Sequence, residues 1–107
     1  MRNILFCPEV EEDLYSLFRI LYDQGYLGTY ESAWNYVQDI INYILAGLDT
    51  KIKYPAPTYF DRYGNDLSYI SYKRNSNTTW YVFFETHNDC YLITHITNNH
   101  VSGQYIR

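Results

Sequence analysis

Between Leu67 and Thr97 three runs of strand-forming residues follow one another with only short polar breaks, and no other stretch limits the fold of this chain as tightly. Leu67 to Lys73 is rich in Tyr and Ile. Trp80 to Thr86 is almost wholly aromatic or β-branched, and Cys90 to Thr97 alternates Leu92, Thr94 and Ile96 with Tyr91, Ile93 and His95. These compositions suit pleated, half-buried strands. The breaks, Arg74 to Thr79 and His87-Asn88-Asp89, consist of residues that form turns through local side-chain hydrogen bonds. Two hairpins and an antiparallel meander follow, with the Trp80 strand between the other two. Such a sheet has two faces, one needing an apolar cover and the other free to bind.

The cover is expected upstream. Asn3 to Phe6 reads as a short edge strand ended by Pro8, which also suits a first helical turn. Glu9, Glu11, Glu12 and Asp13 put negative charge at the positive end of that helix, worth about 0.3–1 kcal/mol each. Val10, Leu14, Leu17, Phe18 and Leu21 make a stripe of about three turns, which Gly25 and Gly28 break. Thr29 reads as the N-cap of a second helix carrying Ala33, Val37, Ile40, Ile41, Ile44 and Leu48, with Trp34, Tyr36 and Tyr43 widening its apolar surface. The short connection from Gln24 to Gly28 forces an antiparallel helix hairpin whose stripe covers one sheet face. Asp49 to Asn65, with Pro55, Pro57 and Gly64, reads as a long crossing loop, and Asn98 to Arg107 as an irregular tail.

The expected architecture is therefore α+β, a single domain over residues 1–107: a short N-terminal strand and an antiparallel helix hairpin packed on one face of an antiparallel sheet. A chain of 107 residues has room for one core. Its net charge of −4 argues against binding nucleic acid through bulk charge. The charge is uneven, though. Residues 1–50 are strongly acidic, whereas residues 51–107 are mildly basic through Lys51, Lys53, Arg62, Lys73, Arg74 and Arg107, which leaves room for a local phosphate site. Fourteen Tyr are far above ordinary usage and suit interfaces and stacking surfaces, although an AT-rich genome would produce the same excess. Cys7 and Cys90 are too few for a disulfide framework or a metal knuckle, so no metal or cofactor is expected. Ile4-Leu5-Phe6 is shorter than a signal-peptide core and no apolar run approaches a membrane span, so the expectation is a cytoplasmic protein that does not engage membranes.

The order strand, helix hairpin, three-strand meander is similar to the RelE/ParE superfamily, the toxins of bacterial toxin–antitoxin pairs. Ile4 to Leu14, reading Ile-Leu-Phe-Cys-Pro-Glu-Val-Glu-Glu-Asp-Leu, resembles the family's first strand and Pro-Glu-started helix. Trp80 to Thr86 resembles its third strand, commonly Tyr-Arg-Val-x-Tyr-x-Val, and His95-Ile96 followed by His100 resembles its last strand and the following His. There are departures: Tyr81 stands where many members have Arg, Phe84 lacks the usual hydroxyl, and Val101 to Gln104 replaces a stretch that often carries Arg. The resemblance implies a cognate antitoxin as partner, and one of two targets. These are mRNA on the ribosome, cleaved by an endoribonuclease (mRNA interferase) branch, or DNA gyrase, inhibited by binding.

Ribonuclease chemistry of that kind needs a base, an acid for the leaving oxygen and cations around the phosphorane. His95 and His100 are the candidate proton carriers, with Arg74 and Tyr81 as the other candidate catalytic residues. Lys51, Lys53, Lys73 and Arg62 are the candidate phosphate holders, and Tyr81 or Tyr91 a stacking partner for a base. Plainer readings stand beside these: a half-buried strand histidine for His95, a solvated tail residue for His100, a charged hairpin end for Lys73 and Arg74, and a solvated loop for Lys51 and Lys53. Glu85 qualifies as a base only if the hairpin register turns it to the free face. Lys73, Arg74, Tyr81 and His95 are expected on that free face, near the Lys51/Lys53 loop and His100. Of three functions, ribosome-dependent mRNA cleavage is ranked first, gyrase-type inhibition second, and a non-catalytic protein-binding module close behind.

Overall fold

The structure is a computed structural model that describes residues 2–25 and 28–106. In chain order it comprises β1 (Asn3–Phe6), α1 (Pro8–Asp23), α2 (Tyr30–Leu45), β2 (Tyr54–Pro55), a 3₁₀ segment (Thr58–Tyr63), β3 (Ser68–Lys73), β4 (Thr79–Thr86), β5 (Cys90–Asn98), α3 (Asn99–Ser102) and a final 3₁₀ turn (Gly103–Tyr105). The five strands form one sheet in the order β1-β5-β4-β3-β2, so β4 is central. The fold is α+β, with two helices packed on a mostly antiparallel sheet.

One pair departs from a wholly antiparallel sheet. β1 runs parallel to β5, with Ile4 opposite Tyr91 and Phe6 opposite Ile93. Parallel neighbours require a crossover connection, and the helix hairpin is what lies between β1 and the meander. Residues 24–28, expected to join the helices tightly, lie partly outside the described residues. The aromatic contacts nevertheless fix the hairpin as antiparallel: Phe18, late in α1, meets Tyr30 and Trp34, early in α2. Thr29 caps α2 as its sequence position suggests, its hydroxyl accepting from the Ser32 N–H at 3.0 Å.

Val10, Leu14 and Phe18 of α1 and Ala33, Val37, Ile40 and Ile44 of α2 pack on Ile70, Trp80, Val82, Phe84, Ile93 and Ile96. Helical spacing from above thus meets two-residue spacing from below. Tyr36 and Tyr43 join this layer. The Trp80 indole donates to the Tyr36 hydroxyl at 3.1 Å, and the Tyr43 hydroxyl donates to the Ser71 carbonyl at 3.0 Å.

The alternation along β5 is broken. Phe83 pairs with His95 and Phe84 with Ile93, so Thr94 is an extra residue, a bulge. Tyr91 and Ile93 face the helices, but His95 faces the other way, and the simple alternation that would group all three on one side fails at this point. Thr94 Oγ1 is buried without a hydrogen-bond partner.

The face away from the helices is also less free than expected. Phe60, in the 3₁₀ segment, is fully buried against a second core of Leu67, Tyr69 and Phe83, with Ala56, Tyr63, Tyr81, Tyr105 and Ile106 around it. The stretch from Asp49 to Asn65 is therefore a short strand and a strap, and the tail beyond Asn98 a helical turn that reinforces it, because each carries apolar side chains that the sheet can bury.

Candidate functional site

Three surfaces carry chemistry. The first lies on the helix hairpin, where a groove of about 340 Å³ opens between α1 and α2. α1 contributes Glu11, Leu14, Tyr15 and Phe18, α2 contributes Trp34, Val37, Gln38 and Ile41, and Phe6 of β1 completes the wall. Both helices use the same offsets of three, one and three, so the walls are two parallel ridges spanning eight residues each, about 10 Å of helix. Tyr15 is 59% exposed and Trp34 45% exposed. Tyr22 and Tyr30 extend the aromatic strip beyond Phe18, their centroids 5.7 Å apart at 77°. Glu11 and Tyr15 also line a shallower depression with Pro8, Glu12 and Ser16.

The second surface is a stack on the opposite face. Tyr105 lies on Tyr59 with centroids 3.5 Å apart, the Arg62 guanidinium sits 4.7 Å from the Tyr59 ring and 5.0 Å from the Tyr63 ring, and Tyr63 lies on His95 at 3.6 Å. This ladder joins the final turn, the strap and β5. Its rings face one another, so it works as a clasp. Burial lowers the affinity of His95 for a proton, the nearby positive charge of Arg62 acts in the same direction, and Asp13 opposes them. Bonds from Arg62 and Tyr105 lower the Tyr59 hydroxyl from its ordinary value.

The third is the tip formed by the β3–β4 turn and α3. His100 Nε2 lies 3.0 Å from Thr78 Oγ1, Asn99 bridges to the Thr79 N–H and the Asn77 carbonyl, and the Asn98 side chain accepts from the backbone of His100 and Val101. This is the bonding of a capped turn.

The residues expected to form one site are divided among these places. Lys73, Tyr81 and His95 do share the face away from the helices, since β3 pairs Lys73 with Thr79 and Ser71 with Tyr81, and β4 pairs Phe83 with His95. Arg74, one residue past β3, turns to the helix side instead. Its guanidinium binds Asp39 of α2 and lies 4.3 Å from the Tyr36 ring. Lys51 also belongs to the helix side: its ammonium donates to the Gly47 carbonyl at 2.8 Å and sits 4.5 Å from the Tyr43 ring, and burial pushes its pKa down. Lys53 donates to the carbonyls of Asp49 and Lys51. Arg62 is held in the clasp and His100 in the tip. Glu85 does face away from the helices, opposite Leu92, but it accepts from the Asn65 N–H at 2.9 Å and lies 3.0 Å from His87 Nε2. The first of these bonds, more than the second, holds its carboxyl below the usual range.

The groove was not singled out by sequence reasoning. A signal existed, because Tyr15 and Tyr22 flank Phe18 at a spacing of seven, aromatic residues beside a stripe already sufficient for the core. Fold and surfaces together define an α+β domain with a helix-hairpin groove on one side and a clasped sheet on the other. No family model matches this chain, and neither a curated protein nor a solved structure does.

Proposed function

We propose that this chain is a toxin-type domain of the RelE/ParE kind, the partner of an antitoxin protein, and that it acts in the cytoplasm by occupying a protein target, as the gyrase-inhibiting branch does. The order of strand, helix hairpin and meander, with β4 central, supports the likeness. One observation carries the preference for binding over cleavage: the groups that cleavage would need point in different directions and are already engaged. Arg74 is committed to Asp39 and Tyr36, Lys51 to the end of α2, and His95 to Tyr63. A phosphoryl site needs its acid, base and cations converging on one phosphate.

Ribosome-dependent mRNA cleavage is the second reading. It is favoured by Lys73, Tyr81 and His95 lying on one sheet face.

Tightly controlled expression, with translation, RNA integrity and plasmid supercoiling followed separately, decides between them. The expected result is growth arrest with altered supercoiling and intact RNA. RNA cleavage that disappears in Lys51→Ala/Lys53→Ala or His100→Ala would replace the first reading by the second. Cells that tolerate high expression with no change in any readout would remove the toxin reading and leave a protein-binding module.

A further inference from the structure

The ladder on the far face of the sheet contains a tyrosine pair unlike the others. Tyr59 of the strap and Tyr105 of the final turn lie with centroids 3.5 Å apart and planes within 6°. Aromatic pairs ordinarily sit offset or edge to face with centroids about 4.5–7 Å apart, so these two rings overlap almost completely. Their hydroxyls also act on one another: Tyr105 lowers the Tyr59 pKa, after the larger effect of Arg62, and Tyr59 raises that of Tyr105. Rings stacked with both hydroxyls at the same end bring the carbons beside each hydroxyl, the Cε positions, face to face. Other tyrosine pairs lack this arrangement. Tyr43 and Tyr72 are 4.6 Å apart at 24°, Tyr54 and Tyr69 are 5.5 Å apart at 32°, and Tyr22 with Tyr30, like Tyr69 with Tyr81, meets nearly edge to face. Tyr59 is 39% exposed, so a reagent in solvent reaches it.

We propose that Tyr59 and Tyr105 form an oxidative cross-linking site, at which a one-electron oxidant of the haem-peroxidase class, working on hydrogen peroxide, joins the two rings through their Cε carbons. Each phenol gives up one electron and its hydroxyl proton, and the unpaired electron of each phenoxyl radical spreads to the carbons beside the oxygen. The two radicals pair their electrons in one Cε–Cε bond. The hydrogen on each bonded carbon then moves to the phenol oxygen, which restores both aromatic rings, while the peroxide takes up the two electrons and two protons and leaves as two waters. Face-to-face stacking suits the joining step, since the half-filled orbitals stand perpendicular to the rings. The Arg62 guanidinium, 4.7 Å from the Tyr59 ring, bonds to its hydroxyl and eases loss of its proton. In the aromatic product the new bond lies in the plane of both rings, so Tyr105 swings out of the stack. The Ile106 N–H bonds to Gly103 of the same turn, and this swing therefore leaves that backbone bond within the turn. The product ties the final turn to the strap over the second core. None of this depends on the toxin reading.

The test treats the full chain, dilute enough that copies rarely meet, with a haem peroxidase and an equimolar amount of hydrogen peroxide. Blue dityrosine fluorescence and the intact mass report the product, and peptide mapping locates the bond. The expected product is a monomer lighter by two hydrogen atoms, with Tyr59 and Tyr105 in one linked peptide and a yield that does not change on dilution. Mapping also separates it from a disulfide between Cys7 and Cys90, both free thiols. Tyr59→Phe and Tyr105→Phe each keep the stacked ring and remove the phenol, and each should abolish the intramolecular product, while Tyr54→Phe leaves it unchanged. Circular dichroism confirms that each variant is folded. The cross-linked chain should have a thermal midpoint at least about 5 °C higher, because the bond restrains the unfolded chain. A bond that joins other tyrosines in preference, a product found only between copies, an undiminished yield in Tyr59→Phe, or an unchanged midpoint in the cross-linked chain would overturn the proposal.

Discussion

The imidazole of His95 lies flat on the ring of Tyr63, their centroids 3.6 Å apart and their planes within 5°. A strand residue is thereby stacked under a strap that sequence reasoning treats as a loop. The contact depends on the Thr94 bulge, which turns His95 away from the helices.

It also makes the fold sensitive to acid. Burial, aided by Arg62 and opposed by Asp13, lowers the His95 pKa below 6.5, so in the unfolded chain this imidazole takes up its proton first. The contribution of neutral His95 is complete above the unfolded value and is lost as pH falls through about 6.5 toward the lower folded pKa. His95→Phe keeps the ring and removes the titration. Urea midpoints at about pH 7.5 and pH 5.5 should fall less in the variant than in the parent chain, and an identical fall would refute the assignment.

Gly64 is where the strap returns to the sheet, and it has no room for a side chain. A Cβ there would lie 2.7 Å from Glu85 Oε2 and 2.8 Å from Leu67 Cδ2. The Glu85 carboxylate cannot simply move aside, because Asn65 and His87 hold it. Gly64→Ala should cost about 1–3 kcal/mol of stability, the usual penalty for overpacking. A thermal midpoint unchanged within error would show that the carboxylate yields freely.

Arg74 is predicted to be a structural residue. It joins the β3–β4 turn to α2 through Asp39 and rests on Tyr36, whose hydroxyl in turn accepts from Trp80. Arg74→Ala should lower stability by about 1 kcal/mol, the sum of a partly exposed ion pair and a cation–π contact. Arg74→Lys should recover less than half of it, since an ammonium lacks the planar stack. Denaturant unfolding of the pair measures this, and full recovery by lysine would leave charge alone as the cause.

Much of the architecture could be read along the chain. Val10, Leu14 and Phe18 announced a helix stripe, Thr29 its successor's cap, and the runs around Ile70, Val82 and Ile93 a meander with β4 in the middle. These features are local: periodicity and turn chemistry are properties of neighbouring residues. The direction of β1 was not local, since only pairing with β5 decides it. Nor was the fate of the cations. Lys73 and Arg74 are adjacent in sequence, yet one ends on the free face and the other against Asp39, and side chains that alternate by residue take their surroundings from the sheet as a whole.

The amino-acid sequence by itself therefore determined β1, the two long helices and the three-strand meander, their order and the apolar layer between helices and sheet, because burying those stripes leaves few alternatives; the short β2, the strap and α3 it did not show. Tertiary structure alone decided which charged groups meet. A single inserted residue, Thr94, turns His95 to the side opposite Ile93, and the strap that Phe60 anchors then covers it. Packing of that kind joins residues about thirty positions apart, and no pattern within one element encodes it. The same is true of the hairpin groove, whose two ridges are each an ordinary helix face until the fold sets them side by side.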